Sequence, residues 1–217
     1  VIGSQFYIPR FNLSDARCVQ YRLHPTLNVK DFEFCNSWDP YDKFTQRELE
    51  SQIPLPQGWD AHVSNFHALL HYDYEELPDF VGEFSLSLST KPVLVSSRVR
   101  RVIEDLAPGA CEYVQAPKVH NLRLNIPMDA SDHVGVNVLR QIDSWDRTQD
   151  TMRHQTRSDG TQYYSLYKEI GSAKAIPDDA HLWRDSFTNH VLCSELFKTR
   201  LEEMGATAID FKAIEMA

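Results

Sequence analysis

Two stretches, VLVSSRVRRVIEDLA at residues 93–107 and VLCSELFKTRLEEMG at residues 191–205, read almost as one unit written twice. Each opens on three apolar residues, passes through a serine and continues into a short amphipathic run. Val99, Val102, Ile103 and Leu106 share one helical face in the first copy; Leu196, Phe197, Leu201 and Met204 nearly do so in the second. Ser96 and Ser194 stand where a hydroxyl can accept from an unpaired first-turn N–H, so each is a helix N-cap candidate. A second strand-like run follows each copy, at Cys111–Val114 and Ala208–Phe211. The spacing therefore predicts a duplicated strand–Ser–helix–strand unit. Its strands fall at Val93–Val95 and Val191–Cys193, and its helices run about three turns.

Outward from this pair, alternation of apolar and polar residues predicts strands at 17–23, 29–35, 83–88, 119–126, 134–142 and 162–169. Thr45–Glu48 (TQRE) is a capping box and predicts the start of a short helix. A further helix is predicted from Asp60 to His71, because Trp59, Val63, Phe66 and Leu70 form one stripe. Residues Ile53–Gly58 read as loop from their prolines and glycine. Arg147–Thr161 holds a single apolar side chain, Met152, and reads as a mobile polar loop. Strands with a few short helices, and only eight glycines, point to an α+β fold with mixed β-sheets rather than an all-β one. A variable, acidic α+β region is expected over residues 1–84 and a second α+β region over 85–217, the two packing as one domain or as two.

A chain of 217 residues that is 42% hydrophobic can bury a sizeable core, and 24% charged residues is the globular norm. No run of 18 apolar residues occurs, so no membrane span or membrane partner is expected. The start, VIGSQFYIPRF, lacks the basic and apolar regions of a secretory signal. Cys18, Cys35, Cys111 and Cys193 are scattered without a CxxC, and read as reduced thiols of a cytoplasmic protein.

Charge narrows the partners. The net charge is −9, and residues 1–90 carry 6 basic against 13 acidic side chains. From Glu48 to Thr90 there is no Lys or Arg at all, against Glu48, Glu50, Asp60, Asp73, Glu75, Glu76, Asp79 and Glu83. Such a field repels nucleic acid and attracts basic partners. The densest part interleaves Tyr72, Asp73, Tyr74, Glu75, Glu76, Asp79, Phe80 and Glu83, setting aromatic anchors among acids. This tract is the candidate partner-binding surface, and Arg147–Thr161 is the next candidate. Trp38, Trp59, Trp145 and Trp183 are read as core or interface aromatics.

Catalytic and metal chemistry finds little support. On a helix, His67 and His71 would lie one turn apart with Asp60 on the same flank, but Ala68 stands where a zincin carries its Glu. No GxSxG, GxGxxG or GxxxxGK[ST] is present. No catalytic residue, metal or cofactor is therefore expected. The alternative reading is a small-molecule or metal-dependent hydrolase built on the acids and histidines of residues 60–83.

His181-Leu-Trp-Arg184, then Val191–Phe197 (VLCSELF) and Gly205–Phe211 (GATAIDF), resemble the C-terminal block of bacterial immunity proteins from polymorphic toxin loci. The group is family eleven, formerly a domain of unknown function. PVLVSSRVR from Pro92, with Leu106–Gly109, resembles its upstream block, and Val138–Trp145 (VLRQIDSW) its middle segment. The likeness covers roughly residues 85–215, with Cys193 where a Val or similar residue is expected. It implies a non-enzymatic cytoplasmic protein that binds and neutralises a cognate toxin effector in interbacterial competition, of the kind delivered by type VI secretion. Many such toxins act on nucleic acids or nucleotides and are basic at their active sites, which the acidic tract would complement. The family pattern carries no catalytic residue to transfer.

Overall fold

A computed structural model of the chain describes residues 5–10, 15–16, 21–24, 67–82, 93–148, 151–156, 160, 162–166, 168–172 and 176–217, with the backbone alone at 21–24 and 162–165. The strands before the first helix are β1 (Phe6–Arg10), β2 (Tyr21–His24), β3 (His67–Leu70), β4 (Phe80–Val81) and β5 (Val93–Ser96). Helix α1 (Ser97–Leu106) leads into β6 (Cys111–Gln115), β7 (Lys118–Asn121), β8 (Ile126–Met128), β9 (His133–Val138) and β10 (Gln141–Ile142). Next come β11 (Met152–Thr156), β12 (Gln162–Leu166), β13 (Ile170–Gly171), β14 (Leu182–Asp185) and β15 (Val191–Ser194). Helix α2 (Glu195–Glu203), β16 (Asp210–Ala213) and β17 (Glu215–Met216) complete the order. The fold is α+β, mostly strands in several sheets.

Both serines end a strand and cap a helix. Ser96 Oγ accepts from Val99 N at 3.5 Å and Ser194 Oγ from Phe197 N at 3.2 Å. Each removes one orphan donor of the first turn, a contribution of about 1 kcal/mol. The pairing around the two units runs in the same order. Antiparallel β9 lies between β5 and β6, and antiparallel β1 lies between β15 and β16. On the outer side β4 pairs with β5, and β14 with β15. The inner strand follows its unit in the first case and comes from the start of the chain in the second.

Period-two alternation sorts the strand residues among three cores. Val93, Val95, Val191 and Cys193 pack with Val99, Ile103, Phe197 and Leu201 of the helices, all at most 3% exposed. Leu94 turns the other way, onto Ala68, Leu70, Tyr72 and Val119, between β4-β5-β9-β6 and the sheet β2-β3-β7-β8. Leu192 turns onto Phe6, Ile8, Trp145 and Trp183 behind β10-β14-β15-β1-β16.

Several expectations are corrected. Residues 67–70 of the expected Asp60–His71 helix form β3, between β2 and β7. Ala68, Leu69 and Leu70 are at most 2% exposed, and a strand buried on both faces loses its alternation and reads as a helical stripe. The expected strand 119–126 is a hairpin, β7 and β8, with Leu122–Asn125 as the turn. The polar loop Arg147–Thr161 contains β11, which pairs with β12 in a two-stranded ribbon and exposes Arg153–Thr156. The strand expected at 134–142 divides into β9 and β10, and β16 starts two residues later than the expected Ala208. The strands at 29–35 and 83–88 and the helix at Thr45 lie outside the described residues.

Candidate functional site

Parallel pairing of β3 with β7 brings two loops together. The chain leaving Leu70 enters the acidic tract, and the chain leaving Asn121 enters the Leu122–Asn125 turn. Asn121, fully buried, fastens both. Its Nδ2 donates to Tyr74 O at 3.0 Å, and its Oδ1 accepts from Arg123 N at 3.0 Å and Leu124 N at 3.2 Å. Arg123 holds Asp73 through Nε at 2.7 Å and Nη1 at 3.0 Å. The Tyr74 ring leans on the buried Tyr72 ring with centroids 5.2 Å apart.

The tract therefore splits by burial. Asp73, Tyr74, Glu75 and Glu76 are exposed, whereas Tyr72 at 3% and Asp79 at 6% lie inside the fold. Glu83 lies outside the described residues. Of the three large hydrophobic residues exposed among the described ones, Tyr74, Leu124 and Leu196, two sit at this pair of loops. Leu124 and Arg123 escape a sequence reading because only the β3–β7 pairing joins them to the tract.

Asp79 is a structural hub. Its carboxylate accepts from Ser96 Oγ and Arg98 Nε at 2.6 Å each, from Arg98 Nη2, and from Thr207 N and Oγ1 at 2.9 and 3.0 Å. Burial alone pushes its pKa up, but the donors from Arg98, Ser96 and Thr207 outweigh this and hold it at about 2. Arg98 also donates to the carbonyls of Met204 and Gly205, at 3.2 Å each. One carboxylate thus ties the start of α1 to the end of α2.

The His181–Arg184 segment is structural too. His181 Nδ1 lies 3.0 Å from the capping hydroxyl of Ser194, and Trp183 Nε1 donates to Ser144 Oγ at 3.0 Å. Arg184, 2% exposed, donates to Val138 O and Asn137 Oδ1, and burial lowers its pKa to about 10. Asp185 accepts from both Ser144 N and Oγ and from the Phe187 and Thr188 amides. Trp145 and Trp183 are both buried.

The hydrolase reading rests on the acids and histidines of residues 60–83, of which residues 67–82 are described. His67 is the first residue of strand β3 and His71 follows its last, so the two do not share a helical face, and Asp60 lies outside the described residues. Among the described residues no group of three or more His, Cys, Asp or Glu could hold a metal ion. Among those residues, too, no helix is long and apolar enough to cross a membrane. Cys111 and Cys193 are free thiols, and burial raises Cys111 to about 12 and Cys193 well above its ordinary value.

Residues 62–216 match the family model described as the immunity protein family Imm11. The match begins upstream of residue 85 and takes in β3, the acidic tract and both capped units. No curated protein matches the chain.

Proposed function

We propose that this chain, which belongs to the Imm11 immunity protein family, protects by binding a cognate toxin and silencing it without catalysis. The surface at Asp73–Glu76 and Leu124 carries this reading. Tyr74 and Leu124 offer exposed anchors on loops fixed by Asn121, so little ordering entropy is lost on docking. Glu75 and Glu76 surround them with negative charge and have no ion pair with a described cation. That favours a basic toxin surface, which complementary charge recruits and selects. Asp73 contributes less, because Arg123 already compensates it. The free thiols Cys111 and Cys193 support action in a reducing cytoplasm.

The test is co-expression with the toxin encoded beside the gene. Growth should be restored and a stable complex should co-purify; a Tyr74→Ala, Leu124→Ala double variant, folded but unable to dock, should restore neither. Persistent toxicity with the wild-type chain and no complex would remove the reading.

A further inference from the structure

Arg123 is the only Lys or Arg on the two loops, residues 71–79 and 122–125, that form the proposed docking surface. Asp73, Glu75 and Glu76 stand exposed beside it. On a surface that recruits a basic toxin, a cation works against the attraction.

The structure holds this cation in a fixed place. The Arg123 and Leu124 amides both donate to Asn121 Oδ1, and Leu122 N donates to Leu70 O at 2.8 Å, which ties the turn to the end of β3. The guanidinium lies against Asp73, with Nε 2.7 Å and Nη1 3.0 Å from the carboxylate. The two side chains are 63% and 59% exposed, and an ion pair so open to water adds little stability. Asn121 already joins the loops without it.

The donors on Arg123 decide what a partner must bring. A guanidinium has more N–H groups than one carboxylate accepts. Nε and Nη1 face Asp73, while Nη2 donates to no described residue and is left to water. Arg123 precedes Leu124 in the turn, and its Asp73 precedes Tyr74, so a partner that covers both anchors also covers the guanidinium. A charged donor that loses its water without gaining an acceptor is costly.

We propose that Arg123 selects the toxin: within its basic contact surface the cognate toxin carries a carboxylate that accepts from Arg123 Nη2. This rests on the reading that the Tyr74 and Leu124 surface receives the toxin. Asp73 orients the guanidinium and leaves its outer edge to the partner. A carboxylate fits better than a neutral carbonyl, because a hydrogen bond between two charged groups is the stronger one. A toxin whose surface is basic throughout meets Arg123 as a like charge and leaves Nη2 unpaired, so it is rejected.

The test is the binding kinetics of the purified toxin encoded beside the gene, with wild type, Arg123→Gln and Asp73→Asn. Arg123→Gln should leave association unchanged or faster, because a positive charge is removed, and should speed dissociation by about tenfold or more. Asp73→Asn breaks the same ion pair but keeps the cation, and should speed dissociation by no more than about threefold. Among toxin Asp and Glu residues changed to amides, one should speed dissociation from wild type and add nothing with Arg123→Gln. Dissociation unchanged or slowed by Arg123→Gln, or sped equally by Asp73→Asn, would overturn the proposal and leave Arg123 a mere partner of Asp73. The absence of any such toxin residue would overturn it too. The Tyr74→Ala, Leu124→Ala variant separates the two levels. If it binds the toxin as wild type does, the surface reading fails and Arg123 with it; if it does not bind and Arg123→Gln is silent, only the selection by Arg123 fails.

Discussion

Replacing Asp79 with Asn tests how the two capped units are held together. The substitution keeps the shape but puts an NH2 where Thr207 N–H or Arg98 now donates, setting donor against donor. The native carboxyl sits at about 2 against an ordinary aspartate value of 3.8. At about 1.4 kcal/mol per pKa unit, that difference is worth about 2 kcal/mol of stability at neutral pH. Because the folded pKa is the lower one, this contribution is complete above about pH 4 and disappears as pH falls through about 2. Urea unfolding of wild type and Asp79→Asn should therefore differ by about 2 kcal/mol at pH 7, with an unchanged m-value. In a thermal melt the same loss lowers Tm by about 4–8 °C for a chain of this size. The gap should hold down to about pH 4 and close toward about pH 2. Equal stability at neutral pH, or a gap that persists at about pH 2, would refute the hub.

Two further outcomes follow from the packing. Gly205 has φ +65° in a Schellman end, with Ala206 N bonded to Leu201 O and Gly205 N to Glu202 O, both at 2.9 Å. A Cβ there would meet nothing within 4 Å, so Gly205→Ala should cost only the left-handed backbone penalty, about 1 kcal/mol by chemical denaturation. Cys193, fully buried and with its thiol raised by burial, should react with a thiol reagent only as fast as the native protein opens, and more slowly than the partly exposed Cys111. Rapid labelling of Cys193 in the folded protein would contradict its placement.

What could be read from the sequence was local. A serine between an apolar run and an amphipathic stretch determines a strand end, a cap and a helix within a few residues, so both units emerge directly. β3 did not, because Ala68–Leu70 are buried on both faces and lose the period-two signal. The β11–β12 ribbon has exposed polar residues on β11, and only cross-strand pairing makes it a strand. Asp79 looked like one more surface acid because its partner Thr207 is 128 residues away. Leu124 carried no signal of its own, and only Asn121 joins it to the acidic tract.

The central claim is that an acidic, aromatic-anchored surface at Tyr74–Glu76 receives a toxin. Its most direct test is the association rate of purified cognate toxin with wild type and with Glu75→Gln, Glu76→Gln at two ionic strengths. Both side chains are exposed and the change is isosteric, so the fold should be unaffected. The account predicts association several-fold slower at low salt, a flatter salt dependence, and nearly unchanged dissociation. Identical association rates for the two proteins at both ionic strengths would contradict it.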